Sequence, residues 1–176
     1  MKETITKIIA IPAGVTVQLG EVLLVKGPKG ENRLALQYPK IRLAVVDNKL
    51  QLIAEKDTKP FKKLLGTLAA LIANAIAGVQ EPFIYRLRAC YSHFPMAISV
   101  SGKELTVKNF LGEIVPRRLT LLPDVTVKVN GSDLEVVSTA KELAGQTAAS
   151  IEQLCRITNR DRRVFQDGCY IISKPK

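Results

Sequence analysis

The residues best suited to chemistry in this chain are arginines. Arg156-Ile157-Thr158-Asn159-Arg160-Asp161-Arg162-Arg163-Val164-Phe165-Gln166-Asp167-Gly168 sets four guanidinium groups between positions 156 and 163. A guanidinium stays charged, grips phosphate oxygens with parallel hydrogen bonds and stacks on planar bases. Asn159 and Gln166 add amides that reach a base edge or a ribose, and Lys174 and Lys176 carry the positive charge to the end. From Arg156 to Lys176 there are six basic residues and two acidic ones, Asp161 and Asp167, which are expected to pair with and orient the arginines. Such a segment points to polyanion binding rather than to catalysis; a solvated surface loop is the competing reading of the charge pattern alone.

A second basic strip is Tyr85-Arg86-Leu87-Arg88-Ala89. In a strand, alternate residues share a face, so Arg86 and Arg88 are expected to emerge together while Tyr85, Leu87 and Ala89 turn to the core. Gly27-Pro28-Lys29-Gly30 resembles a loop that clamps nucleic-acid backbone between two helices. Extended apolar runs flank it here, so a hairpin turn carrying one lysine is the better reading.

The catalytic inventory is thin. His93 is the one histidine and sits in Tyr91-Ser92-His93-Phe94-Pro95, a linker composition. No nucleophile elbow, phosphate-binding glycine loop or zinc-binding helix motif occurs. Cys90, Cys155 and Cys169 are widely spaced and form no CxxC pair, which argues against zinc and for reduced, buried thiols. The expectation is a protein that is not an enzyme, with no cofactor, no metal and no small-molecule substrate. An enzyme using His93 or Cys90 in a cleft is the distant alternative.

What positions the arginines is a chain that reads twice. Leu23, Val25, Lys26, Gly30 and Glu31 recur as Leu105, Val107, Lys108, Gly112 and Glu113. Ile41, Leu43 and Val45 alternate before Asp47-Asn48 and then Leu50 and Leu52; Val125, Val127 and Val129 alternate before Asn130-Gly131 and then Leu134 and Val136. Alternation into such a turn predicts a hairpin. Each hairpin precedes a helix. The first has Thr58 as cap and Pro60 in its first turn and runs to about Gly78. The second opens on a Thr139 to Glu142 capping box and puts Leu143, Thr147, Ile151 and Leu154 on one face. A last strand is expected to close each copy, Phe83 to Tyr91 and Gly168 to Ile172. The fold class is therefore α+β: two tandem similar domains from an internal duplication, residues 1–91 and 92–176, each an antiparallel sheet covered on one face by a helix.

Lys and Arg outnumber Asp and Glu by 26 to 16, with a net charge of +10, which suits a nucleic-acid partner. The run Leu64 to Gln80 is uncharged but contains Gly66, Thr67 and Asn74, the composition of a buried helix, so no membrane association is expected. The stretch Ile8 to Val17, broken by Pro12 and Gly14, makes a poor secretory signal.

These residues resemble a known family along nearly the whole chain. The run Tyr85 to Ala89 with His93-Phe94-Pro95, then Asn109-Phe110-Leu111-Gly112-Glu113, then Gly145 to Gln153, and above all Arg160 to Gly168 are similar to motifs of the universal large-subunit ribosomal protein number six, in its archaeal and eukaryotic form. Cys90 and Cys169 depart from it, standing where a branched aliphatic residue is common. The resemblance implies a cytoplasmic, ribosome-bound structural protein without catalytic activity. Its partners would be large-subunit rRNA near the stalk base and the sarcin–ricin loop, neighbouring ribosomal proteins, and elongation factors close by. It places RNA contact on the second domain, hence on Arg156, Arg160, Arg162, Arg163, Lys174 and Lys176. A free-standing RNA-binding factor outside the ribosome is the alternative.

Overall fold

The computed structural model describes residues 4–20, 22–35, 41–46, 48–56, 58–161 and 163–175. The chain divides into two compact units, 1–82 and 83–176.

In the first unit, β1 (Ile5–Ala10), β6 (Lys49–Ala54) and β5 (Ile41–Val46) form one antiparallel sheet in the order β1-β6-β5. The meander β2 (Thr16–Gln18), β3 (Val22–Gly27), β4 (Gly30–Ala35) forms another. The helix α1 (Lys59–Gln80) covers both. The alternation seen in sequence decides the inward faces: Leu23, Val25, Leu50, Leu52 and Ala54 are buried against Leu65, Leu68, Ile72, Ile76 and Val79 of α1. By length and composition α1 could cross a membrane, but this stripe occupies the core of the unit. Pro60 lies in its first turn; Thr58 is the cap residue yet makes no side-chain capping bond.

Gly27 and Gly30 face each other across the β3–β4 turn, which makes Gly27-Pro28-Lys29-Gly30 a hairpin tip. The Lys29 N–H donates to the Val79 carbonyl at 3.0 Å. A Cβ on Gly27 would lie 2.7 Å from the Val79 side chain, so the glycine is there for close approach to α1.

The second unit repeats the plan. The meander β8 (Ala97–Ser101), β9 (Glu104–Lys108), β10 (Arg117–Thr120) forms a three-stranded sheet. The strands β11 (Thr126–Asn130), β12 (Asp133–Ser138), β7 (Phe83–Cys90) and β13 (Gly168–Ser173) form a four-stranded one in that order. The helix α2 (Lys141–Leu154) packs Ala144, Thr147, Ala148 and Ile151 inward. Its small residues allow a close approach: a Cβ on Gly145 would sit 3.0 Å from the Tyr85 hydroxyl.

Two expectations are corrected. The strand at 83–90 does not close the first copy. It pairs with β12, Leu134 opposite Leu87 and Val136 opposite Tyr85, and with β13 on its other edge. It thereby stands where β1 stands beside β6 in the first unit, and it opens the second copy. The division moves accordingly from 91/92 to 82/83. Alternation tells which face of a strand is buried, not which strand it joins. The cap of α2 is Ala140, one residue after the expected Thr139, and the Ser138 hydroxyl accepts the Ala140 N–H at 3.2 Å.

Candidate nucleic-acid interface

The arginine-bearing segment runs from the end of α2 to the start of β13. Its frame alternates between anchors and exposed polar groups. Cys155, Ile157, Asp167 and Cys169 are buried, and Phe165 packs against the core of the unit. Arg156, Asn159, Arg160, Arg163 and Gln166 are all exposed. Arg162 and Lys176 lie outside the described residues.

Local hydrogen bonds shape the tip. The Asp161 carbonyl accepts the N–H groups of Val164 and Phe165 at 3.1 and 2.9 Å. Its carboxylate accepts the Arg163 N–H at 2.9 Å and, from the guanidinium, Nε at 3.2 Å and Nη2 at 2.9 Å. The Arg163 side-chain bond, and then its backbone bond, hold Asp161 below the usual carboxylate range, while Asp161 raises Arg163. Asp161 therefore orients an arginine, as expected, and Arg163 still leaves 90% of its side chain exposed. Arg160 lies over the Phe165 ring, its Cζ 4.8 Å from the ring centre, so its charge rests on an anchored aromatic. Asn159 adopts φ +58°, reversing the chain just before these arginines.

Asp167 departs from expectation. Although four arginines precede it in the segment, its Oδ1 accepts the Ser92 N–H at 3.0 Å and the Ser92 hydroxyl at 2.9 Å. It ties the segment to the chain following β7.

Sequence reasoning missed a brace at the other end, Arg117. Its Nη1 donates to the Leu154 carbonyl at 2.6 Å, at the C-terminus of α2 where a cation is favoured. Its Nε and Nη2 fork onto Glu113 at 2.8 and 2.6 Å, and the guanidinium covers the Phe110 ring at 4.3 Å. The four-residue spacing of Glu113 and Arg117 was the available signal.

The other basic residues singled out in the sequence stand on or beside strands instead. Arg86 and Arg88 share the exposed face of β7 as expected, but each faces an acid on β12. Arg86 Nε lies 3.1 Å from Glu135 and Arg88 Nε 2.7 Å from Asp133. Lys174 is exposed just past the far end of β13, roughly 17 Å of extended strand from Gly168. Arg156, Asn159, Arg160, Arg163 and Gln166 are thus brought together on one segment, whereas Arg86, Arg88 and Lys174 are not.

An exposed loop of guanidiniums on a buried frame has the chemistry to meet an anion, and among the described residues no cluster of metal-ligating side chains occurs. A family model described as ribosomal protein L6 matches the chain over residues 11–82 and 94–168. The chain is 42% identical over 172 residues to the large ribosomal subunit protein uL6 of Methanospirillum hungatei, covering 97% of this chain and 98% of that protein. It is 42% identical to its counterpart in Methanosarcina mazei over 99% of both, and 38% identical to that of Archaeoglobus fulgidus over 96% of this chain and 89% of that one.

Proposed function

The chain belongs to the ribosomal protein L6 family of structural proteins of the large ribosomal subunit, and from that premise we propose that it grips large-subunit rRNA through the segment between α2 and β13. Its partners are ribosomal RNA and ribosomal proteins, and its place is the ribosome in the cytoplasm. The observation that carries the RNA contact is the outward set Arg156, Asn159, Arg160, Arg163 and Gln166 on a frame anchored by Ile157, Phe165 and Asp167. Arg162, Lys174 and Lys176 add positive charge to the same end of the chain. The finer location is the base of the factor-binding stalk beside the sarcin–ricin loop, where the protein braces RNA next to the elongation-factor site. The role is structural, with no catalytic step.

Sucrose-gradient sedimentation of tagged protein from native cells tests the reading. Co-migration with large subunits, persisting until salt is high, is the expected result. Migration as free protein at low salt would overturn it in favour of an RNA-binding factor outside the ribosome. Iron–EDTA tethered at position 164, an exposed valine beside the arginines, tests the location: strand scission should cluster around the sarcin–ricin loop, and cuts elsewhere would relocate the protein.

A further inference from the structure

Two cysteines meet at the base of the arginine-bearing segment. Cys155 caps the end of α2 and Cys169 is the second residue of β13; 14 positions apart in sequence, their Sγ atoms are 3.6 Å apart, and both are free thiols in the core. The backbones also converge there, since a Cβ on Gly168 would lie 3.3 Å from the Cys155 carbonyl oxygen. A disulfide needs its sulfurs about 2.05 Å apart, so the pair must close by roughly 1.5 Å. A cavity of about 200 Å³ is lined by both cysteines together with Glu152, Arg156 and Tyr170. Cys90 is the third thiol, and it follows the inward-facing Ala89 on β7, so it belongs to the opposite face of the strand.

We propose that Cys155 and Cys169 are a modification site, a dithiol that a small-molecule disulfide entering this cavity converts to an intramolecular disulfide. The Cys155 thiolate attacks one sulfur of the reagent, forming a mixed disulfide as the reagent's S–S bond breaks and one thiolate leaves and takes up a proton. Cys169 then loses its proton and attacks the Cys155 sulfur, expelling the second thiolate, which is protonated in turn. Two protein thiols are oxidised by two electrons, and the reagent is reduced to two thiols. The hydrogen bond with Cys169, and then the charge of Arg117, favour the Cys155 thiolate, which makes Cys155 the attacking sulfur in this scheme; the link itself rests on the 3.6 Å approach of the two sulfurs. Closure joins the two ends of residues 156–168 covalently. Any effect of this on RNA affinity rests on the function proposed above; formation of the bond does not.

The test is to incubate the folded full-length protein with hydroxyethyl disulfide, quench with an alkylating reagent, and read intact mass and unreduced peptide maps. The expected product has lost two hydrogens and gained a single alkyl group, with the Cys155 and Cys169 peptides linked and Cys90 alone alkylated. Cys90→Ser should form the link unchanged, whereas Cys155→Ser and Cys169→Ser should not form it. Full alkylation of all three cysteines, or a link through Cys90 or between chains, overturns the inference. The Cys155–Cys169 link supports it even if neither redox state binds rRNA, a result that would instead sink the proposed function.

Discussion

The buried carboxylate of Asp167 accepts both the backbone N–H and the hydroxyl of Ser92, 75 positions away, through the same oxygen, Oδ1. This joins the chain leaving β7 to the last residue before β13. Asp167→Ala removes the acceptor and leaves the Ser92 N–H without that partner, a loss of about 1–3 kcal/mol. Asp167→Asn keeps an acceptor oxygen and should lose less. Denaturant unfolding measures both, and an Asp167→Ala midpoint equal to that of the parent would show that the contact holds nothing.

Arg117 should matter more than an ordinary surface arginine, because it satisfies the Leu154 carbonyl and covers Phe110. Arg117→Ala should cost about 1–2 kcal/mol, and Arg117→Lys should recover only part of that, since a point charge cannot reproduce the fork. Thermal melts of the two variants rank them; equal stability of Ala and Lys would mean the fork contributes nothing.

The same pair sets a pH dependence. The Arg117 hydrogen bond holds Glu113 below its ordinary value in the folded state. A depressed acid contributes stability above its unfolded pKa, and the contribution disappears as pH falls through the folded pKa. The pair thus stabilises at neutral pH and is lost on the acid side of the ordinary glutamate range. The effect is modest because Glu113 keeps 39% of its side chain exposed. Glu113→Gln should flatten the acid limb of a stability–pH profile, and a limb of unchanged slope would assign the acid loss to other carboxylates.

Much of this was legible from residue order. Alternation at Val127, Val129, Leu134 and Val136 led to the β11–β12 hairpin, and the tip chemistry of Asp161 with Arg163 was legible because the two are near neighbours. Partners far apart in sequence were not. Nothing periodic links Ser92 to Asp167, Arg117 to Leu154, or Arg86 to Glu135, so the brace, the tie and the neutralised strip emerged only from the fold. The strand 83–90 was assigned to the wrong copy for the same reason: its faces were readable and its neighbours were not.

Gly27→Ala tests whether the two copies answer separately. The added methyl meets the Val79 side chain and carbonyl at under 3.0 Å, and backbone cannot move aside cheaply. Overpacking of this kind costs about 1–3 kcal/mol. Hydrogen exchange should quicken at α1 and the β3–β4 hairpin while amides of residues 83–176 keep their protection; uniform loss across the chain would show the units to be one cooperative body.

The sharpest contrast lies between the two sets of arginines. Arg160 lies over Phe165, and Arg163 is paired with its near neighbour Asp161 yet leaves 90% of its side chain exposed, while Arg86 and Arg88 are paired across strands at 3.1 and 2.7 Å and are less exposed, at 64% and 55%. An arginine that meets a phosphate releases condensed counterions, so losing it should lower the slope of log affinity against log salt by about 1. Arg160→Ala and Arg163→Ala should each show that drop on a large-subunit rRNA fragment, with several-fold weaker binding and an unchanged melting temperature. To meet a phosphate, Arg86 and Arg88 would have to leave a cross-strand acid from a less exposed position, so Arg86→Ala and Arg88→Ala should leave the slope near that of the parent. If Arg88→Ala lowers the slope as far as Arg163→Ala does, the outer face of the sheet is an RNA surface as well, and its ion pairs exchange Asp133 and Glu135 for phosphate on binding.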